Sequence, residues 1–183
     1  MVSAAAEAGA AAEVRAAEVG AAADARIATA WQALARLEDP ELPPLTLVEL
    51  GIVRFLKVRA DGVLEAGISP TYTGCPATDY IRQLVEGALA EARIGPFKVS
   101  QVLAPAWSSD WITPAGRAKL ESLSVVPPER SASAALAGGT AAVRCPRCGS
   151  GDTELTSQFG STPCKALHRC RSCLEPFECF KCI

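Results

Sequence analysis

Thiols dominate the chemistry available to this chain: eight cysteines stand among 183 residues that include a single histidine. Four of them form two knuckles, Cys145-Pro-Arg-Cys148 and Cys170-Arg-Ser-Cys173, with 21 residues between. A CxxC turn sets two sulfurs on one side of the backbone. Two such turns joined by a hairpin can close a tetrahedral Cys₄ site of the kind that holds structural zinc. The hairpin strands are expected at 153–159 and 165–169, turning at Gly160-Ser161-Thr162-Pro163. The 40 residues from Arg144 to Ile183 carry few large apolar side chains and lack the means to form an adequate core alone. A structural zinc ion contributes roughly 10–16 kcal/mol to such a segment, enough to decide whether it folds. The same sulfurs could instead form a disulfide framework, which a reducing compartment disfavours, or hold an iron–sulfur cluster.

Cys179-Phe-Lys-Cys182 is a third CxxC, without a fourth pair in the tail to complement it. Cys164 and His168 fall on expected ribbon strands and read as packing residues, since an unliganded cysteine behaves as a small hydrophobe. Exchange of ligands between the second and third pairs stays open. Cys75 stands apart, between Gly74 and Pro76, where a strand hands over to a helix. The positive end of a helix dipole favours the thiolate there, which could bind a metal or attack an electrophile. A cysteine packed beneath the helix fits the position equally well. Catalysis by a Cys–His pair would require His168 to reach across from the ribbon.

Asp39-Pro40-Glu41 sets two carboxylates around a proline. They could serve acid–base or metal chemistry. Asp-Pro is also an ordinary helix terminator with solvated carboxylates, and the sequence by itself favours that plainer reading. The loop Trp107-Ser-Ser-Asp110-Trp111 either binds something or caps the core. No phosphate-cradling glycine loop, Ser-His-Asp set or HExxH helix is present. The sequence therefore holds no catalytic residues that form a self-sufficient active site.

The elements that must position these groups are legible. Residues 1–23 are Ala-rich and expected to form a flexible tail. Ile27, Trp31, Leu34 and Leu37 recur at helical spacing, with Asp24 as N-cap and Asp39-Pro40 as the stop. Residues 52–59 and 63–69 read as strands joined at Asp61-Gly62. Pro76 is expected to open a helix carrying Ile81, Leu84, Val85, Ala88 and Leu89 on one face. Residues 97–103 read as a third strand, and Thr113-Pro114 as the start of a short helix. Residues 24–126 thus make a small α/β (α+β) domain with a three-stranded sheet. Residues 127–143 form a linker, and 144–183 a zinc-ribbon β domain.

The net charge of −2 gives no general attraction to nucleic acid or anionic membrane. No uncharged apolar run is long enough to span a bilayer, and glutamates and Arg15 interrupt the alanine-rich start. The cytoplasm is the expected compartment.

Asp39-Pro-Glu41, Glu49-Leu-Gly-Ile-Val-Arg54 and Thr71-Tyr-Thr-Gly-Cys75-Pro-Ala77 together resemble the small SufT-like family of metal–sulfur cluster assembly proteins. Phe159-Gly-Ser-Thr-Pro-Cys164-Lys-Ala-Leu, Arg169-Cys170, Glu175-Pro-Phe177 and Phe180-Lys-Cys182 are similar to the PaaD (PaaJ) family of phenylacetate degradation. The likeness covers about residues 26–183. It implies an accessory, non-enzymatic maturation subunit of the multicomponent phenylacetyl-CoA ring 1,2-epoxidase, whose partners are the oxygenase and reductase subunits. It further implies structural zinc in the ribbon, transient handling of iron or an iron–sulfur cluster, and a functional role for the motif cysteine, Cys75, with Asp39 and Glu41 as accessory groups. A scaffold subunit without any metal-handling role is the alternative.

Overall fold

The structure is a computed structural model that describes residues 21–72, 74–128 and 143–181. Helix α1 occupies residues 21–34, so it begins before the expected Asp24 cap and ends before the Asp-Pro stop. It buries Ala30 and Leu34 fully, and Ile27, Trp31 and Leu37 pack at the edge of the same core. Strands β1 (Val53–Val58) and β2 (Leu64–Ile68) pair antiparallel. The turn between them works because Gly62 adopts a positive φ of 78° while Asp61 Oδ1 accepts the Val63 N–H.

Helix α2 (Thr78–Glu91) crosses over to β3 (Phe97–Gln101), which pairs parallel with β2, giving the sheet order β1-β2-β3. Ile81, Val85 and Leu89 form its buried stripe. The helix opens at Thr78 rather than at Pro76, and its N-cap, Ala77, supplies no side-chain hydrogen bond. The Cys75 carbonyl accepts instead, from both the backbone N–H and the hydroxyl of Thr78. A 3₁₀ turn at Ser109–Trp111 precedes α3 (Pro114–Ser122), which is capped as expected by Thr113 Oγ1 accepting from Gly116 N. Gly51, with φ of 68°, lets the chain pass beneath this turn. A Cβ there would sit 2.6 Å from Trp111 Cβ.

The ribbon is a sheet in the order β4-β7-β6-β5. β5 (Thr153–Ser157), β6 (Lys165–Cys170) and β7 (Pro176–Phe180) form an antiparallel meander. The fourth strand, β4 (Val125–Val126), comes from the end of the segment expected to belong to the α/β domain and pairs parallel with β7. Side-chain packing joins the two units as well. Phe180 is completely buried in the core of Leu34, Leu50, Ile68 and Val85, its ring 5.9 Å from that of Trp107. Trp107 donates its indole N–H to the Leu50 carbonyl. Of the two roles open to the aromatic loop, Trp107 thus fills the core-capping one.

Since Phe180 is an anchor shared by both units, its truncation is expected to loosen the α/β core itself. We predict that Phe180→Ala lowers the stability of the whole chain by about 3–5 kcal/mol in urea denaturation monitored by tryptophan fluorescence. A loss below about 1 kcal/mol would show the ring to be peripheral.

Candidate metal centre

Among the described residues one group of side chains comes together at metal-ligand spacing, the ribbon quartet. The Sγ atoms of Cys145, Cys148, Cys170 and Cys173 lie within 4.8 Å of one another, with Cys145–Cys173 and Cys148–Cys170 at 3.6 Å each. Metal–sulfur bonds of about 2.3 Å in a tetrahedron require sulfur–sulfur edges of about 3.8 Å, so the thiols already stand at ligand spacing. The knuckles supply N–H donors: Cys173 N points to Cys170 Sγ at 3.4 Å. This bond leads the interactions that bring the Cys170 thiol down to about 6, with Ser172 N and neighbouring thiols assisting against burial. A donor set of four thiols, one already biased to thiolate, fits a tetrahedral thiophilic ion and the structural role of a closed site.

The third CxxC does not join the quartet among the described residues. Cys179 is buried on β7 in register with Ala166 and Val126, and Cys182 lies outside the described residues. His168 stacks on Phe177 with ring centroids 5.7 Å apart, and burial favours its neutral form.

A second cluster of titratable groups, not gathered at ligand spacing, lies where the ribbon meets the α/β domain. Asp39, Glu41, Thr71, Cys75, Cys164 and Phe180 are among the residues lining a small cavity of about 10 Å³, room for one water or ion. The geometry corrects one expectation and decides between two readings of Cys75. Asp39 is not solvated: only 6% of it is exposed, its Oδ1 accepts the Glu41 N–H at 2.9 Å, and its N–H donates to the Leu45 carbonyl. Desolvation pushes its carboxyl above the usual aspartate range, and the Glu41 charge adds to that. Cys75 is half-buried as the one motif thiol of the α/β domain, but it is not a helix-activated thiolate. Burial raises its pKa, and Glu41 and Asp39 raise it further against the lowering effect of hydrogen bonds from Ala77 and Thr78.

Cys164 is buried, as the packing reading expects, but against the other domain rather than within the ribbon, with Sγ 4.0 Å from Glu41 Oε2 and 3.1 Å from Thr162 Oγ1. Burial first, then the Glu41 and Asp39 charges, push its thiol up to about 11. Its carbonyl accepts the Lys181 N–H at 3.0 Å, while Lys181 Nζ donates to the Pro163 carbonyl at 2.7 Å. Among the described residues no lysine, arginine or histidine hydrogen-bonds or ion-pairs with Asp39 or Glu41. Nearby Lys165 is committed to Glu178 at 3.0 Å. The Phe159–Cys164 motif is a family signature in the sequence, yet its sequence separation from Glu41 gives no hint of their contact.

A buried carboxylate without a counter-ion opposes folding. Asp39 binds its proton more readily in the folded than in the unfolded chain. Its destabilising effect is therefore absent at pH below the unfolded value of about 3.9 and grows as pH rises through the higher folded value. We predict that Asp39→Asn, which keeps the acceptor for Glu41 N–H, raises the melting temperature at pH 7. The gain should disappear at about pH 3.5, below the ordinary aspartate value. A lower melting temperature at pH 7 would contradict the assignment of Asp39 as a buried group costly to ionise.

Comparison with known proteins accords with both halves. Residues 27–103 match a family described as iron–sulfur cluster assembly protein, and residues 129–181 match the PaaD zinc beta ribbon domain. A protein of Escherichia coli (strain K12), named as one of the subunits of a "Putative 1,2-phenylacetyl-CoA epoxidase", is 45% identical over 154 residues, covering 84% of this chain and 91% of the relative. The crystal structure of a domain of unknown function (DUF59) from Bacillus anthracis is 22% identical with a TM-score of 0.51, covering 55% of this chain and 96% of that one. It shares the fold of the α/β portion. Among the described residues no helix is long and apolar enough to cross a membrane. With an assembly-type domain carrying the Asp-Pro-Glu and Gly-Cys-Pro motifs and a Cys₄ ribbon docked upon it, the chain belongs to the PaaD family.

Proposed function

We propose that this chain is an accessory component of a phenylacetyl-CoA epoxidase that assists loading of iron, or of an iron–sulfur cluster, into the oxygenase and reductase subunits in the cytoplasm. The observation that carries this reading is the half-buried Cys75 set beside the Asp39 and Glu41 carboxylates in an iron–sulfur-assembly-type domain. Sulfur and carboxylate donors together suit ferrous iron, and a single half-open motif thiol gives the cargo a ligand that can exchange. Among the described residues no histidine stands beside Cys75 to make it a catalytic nucleophile. The only histidine, His168, is stacked on Phe177 in the ribbon.

The ribbon has a different task in this reading. Cys145, Cys148, Cys170 and Cys173 hold zinc as a permanent clip. The ion fixes the β5–β6–β7 meander, which seats Phe180 and presents the ribbon's outer face to partner subunits. Cys148→Ser is expected to lose the zinc, measured as metal per purified chain. It should also unfold the ribbon and lower overall stability.

In cells producing the complete oxygenase system, Cys75→Ser is expected to reduce the iron content and activity of the purified oxygenase and reductase components severalfold, while this chain is still produced and zinc-loaded. Unchanged iron loading would eliminate Cys75 as the cargo ligand and leave a scaffold role.

A further inference from the structure

The ribbon quartet is unevenly shielded. Cys145 and Cys170 are 2% and 0% exposed and Cys173 is half-buried, whereas Cys148 stands exposed. Its sulfur lies 3.6 Å from Cys170 Sγ. A disulfide of about 2.05 Å therefore needs the two sulfurs to close by about 1.5 Å. The first knuckle is also flanked by positive charge. Arg144 Nη1 donates across it to the Gly149 carbonyl at 3.3 Å, and Arg147, next to Cys148 in the chain, reaches over to Glu175 of the second knuckle. Guanidinium groups beside a sulfur favour the thiolate, the form that both ligates metal and reacts. The other described thiols are less open to attack. Cys164 and Cys179 are buried, and Cys75 is half-buried with burial and carboxylates favouring its protonated form.

We propose that Cys148 is an oxidation site for hydrogen peroxide, with Cys170 as its resolving thiol, and that this reaction opens the ribbon's zinc clip. The Cys148 sulfur attacks one peroxide oxygen. The O–O bond breaks, the sulfur becomes a sulfenic acid and hydroxide leaves. The Cys170 thiolate, itself shielded from peroxide by burial, attacks that sulfur; the S–S bond forms and a second hydroxide leaves. The two sulfurs lose two electrons, the peroxide gains them, and two protons from solvent turn the hydroxides into water. Cys145 and Cys173 then remain as the only thiolates of the quartet, too few for a closed four-coordinate site, and the ion is released. Its loss frees the β5–β6–β7 meander and with it the seat of Phe180, so oxidation at an exposed knuckle loosens the ribbon from the α/β core. A dithiol reductant and fresh zinc reverse the change. The inference concerns the clip alone and goes beyond the proposed role of Cys75. In an accessory of an oxygenase, it halts the chain's work when dioxygen is reduced to peroxide without substrate being oxidised.

The test treats the full-length, zinc-loaded chain with hydrogen peroxide, with and without dimedone to trap sulfenic acid. Peptide mass mapping should place the first dimedone adduct on Cys148. Without dimedone, a metallochromic dye should register one zinc released per chain, in step with the loss of two thiols and the appearance of a Cys148–Cys170 disulfide. The urea midpoint followed by tryptophan fluorescence should fall with the zinc, and dithiothreitol with added zinc should restore it. These readouts use the unaltered protein and depend on no variant folding. A first adduct on Cys75 or Cys182 with zinc retained would overturn the proposal, as would zinc loss through a disulfide that leaves Cys148 reduced. Neither result touches the reading of Cys75 as cargo ligand, which the cellular iron loading of Cys75→Ser decides separately.

Discussion

The burial of one ring holds this architecture together. Phe180, near the end of the last ribbon strand, is fully inserted into the α/β core beside Trp107. Burying a phenylalanine side chain is worth on the order of 1.5–3 kcal/mol, and a ribbon with little apolar surface of its own has few other means of attachment. The two-residue strand β4 reinforces the junction by pairing with β7. Together they join the ribbon and the α/β domain into one packed unit. The position of Cys164 then follows, because Lys181, the residue after Phe180, donates its N–H to the Cys164 carbonyl. Anchoring the ring fixes that amide, and the amide fixes the thiol against Glu41.

The two clusters differ in the way their electrostatics are arranged. In the quartet, N–H donors from the knuckle turn favour the thiolate of Cys170, while Cys173, despite the Glu175 N–H, is pushed up to about 12 by burial and its three neighbouring thiols. At the domain boundary, burial raises Asp39, Cys75 and Cys164 toward their protonated forms, and the Glu41 charge adds to each. The destabilisation from Asp39 is consistent with a group retained for chemistry at a cost to stability.

Much of this is legible in the sequence because the signals are local. The CxxC spacing foretells the quartet, Asp61-Gly62 the hairpin, Thr113-Pro114 the cap of α3, and the Ile81-Val85-Leu89 stripe the buried face of α2. What escapes is non-local. The partner of Val125–Val126 is a strand about 50 residues further on, and a two-residue pairing leaves no periodicity to read. Asp39 looks like a solvated stop signal, since nothing in an Asp-Pro dipeptide reveals which surface will cover it. Cys164 looks like a ribbon residue for the same reason. The choice between the two readings of Cys75 also depends on tertiary structure. The helix begins three residues after it, so burial and neighbouring carboxylates outweigh the dipole.

The docking of ribbon on core can be tested by native-state hydrogen exchange at two amides: Lys181 N–H, bonded to Cys164 O, and Leu64 N–H, bonded to Pro96 O within the α/β domain. In one packed unit both amides exchange only through global unfolding, with the same opening free energy and the same denaturant dependence. Lys181 exchanging through a separate, lower-energy opening while Leu64 stays protected would contradict the docking, and with it the placement of Cys164 beside Glu41.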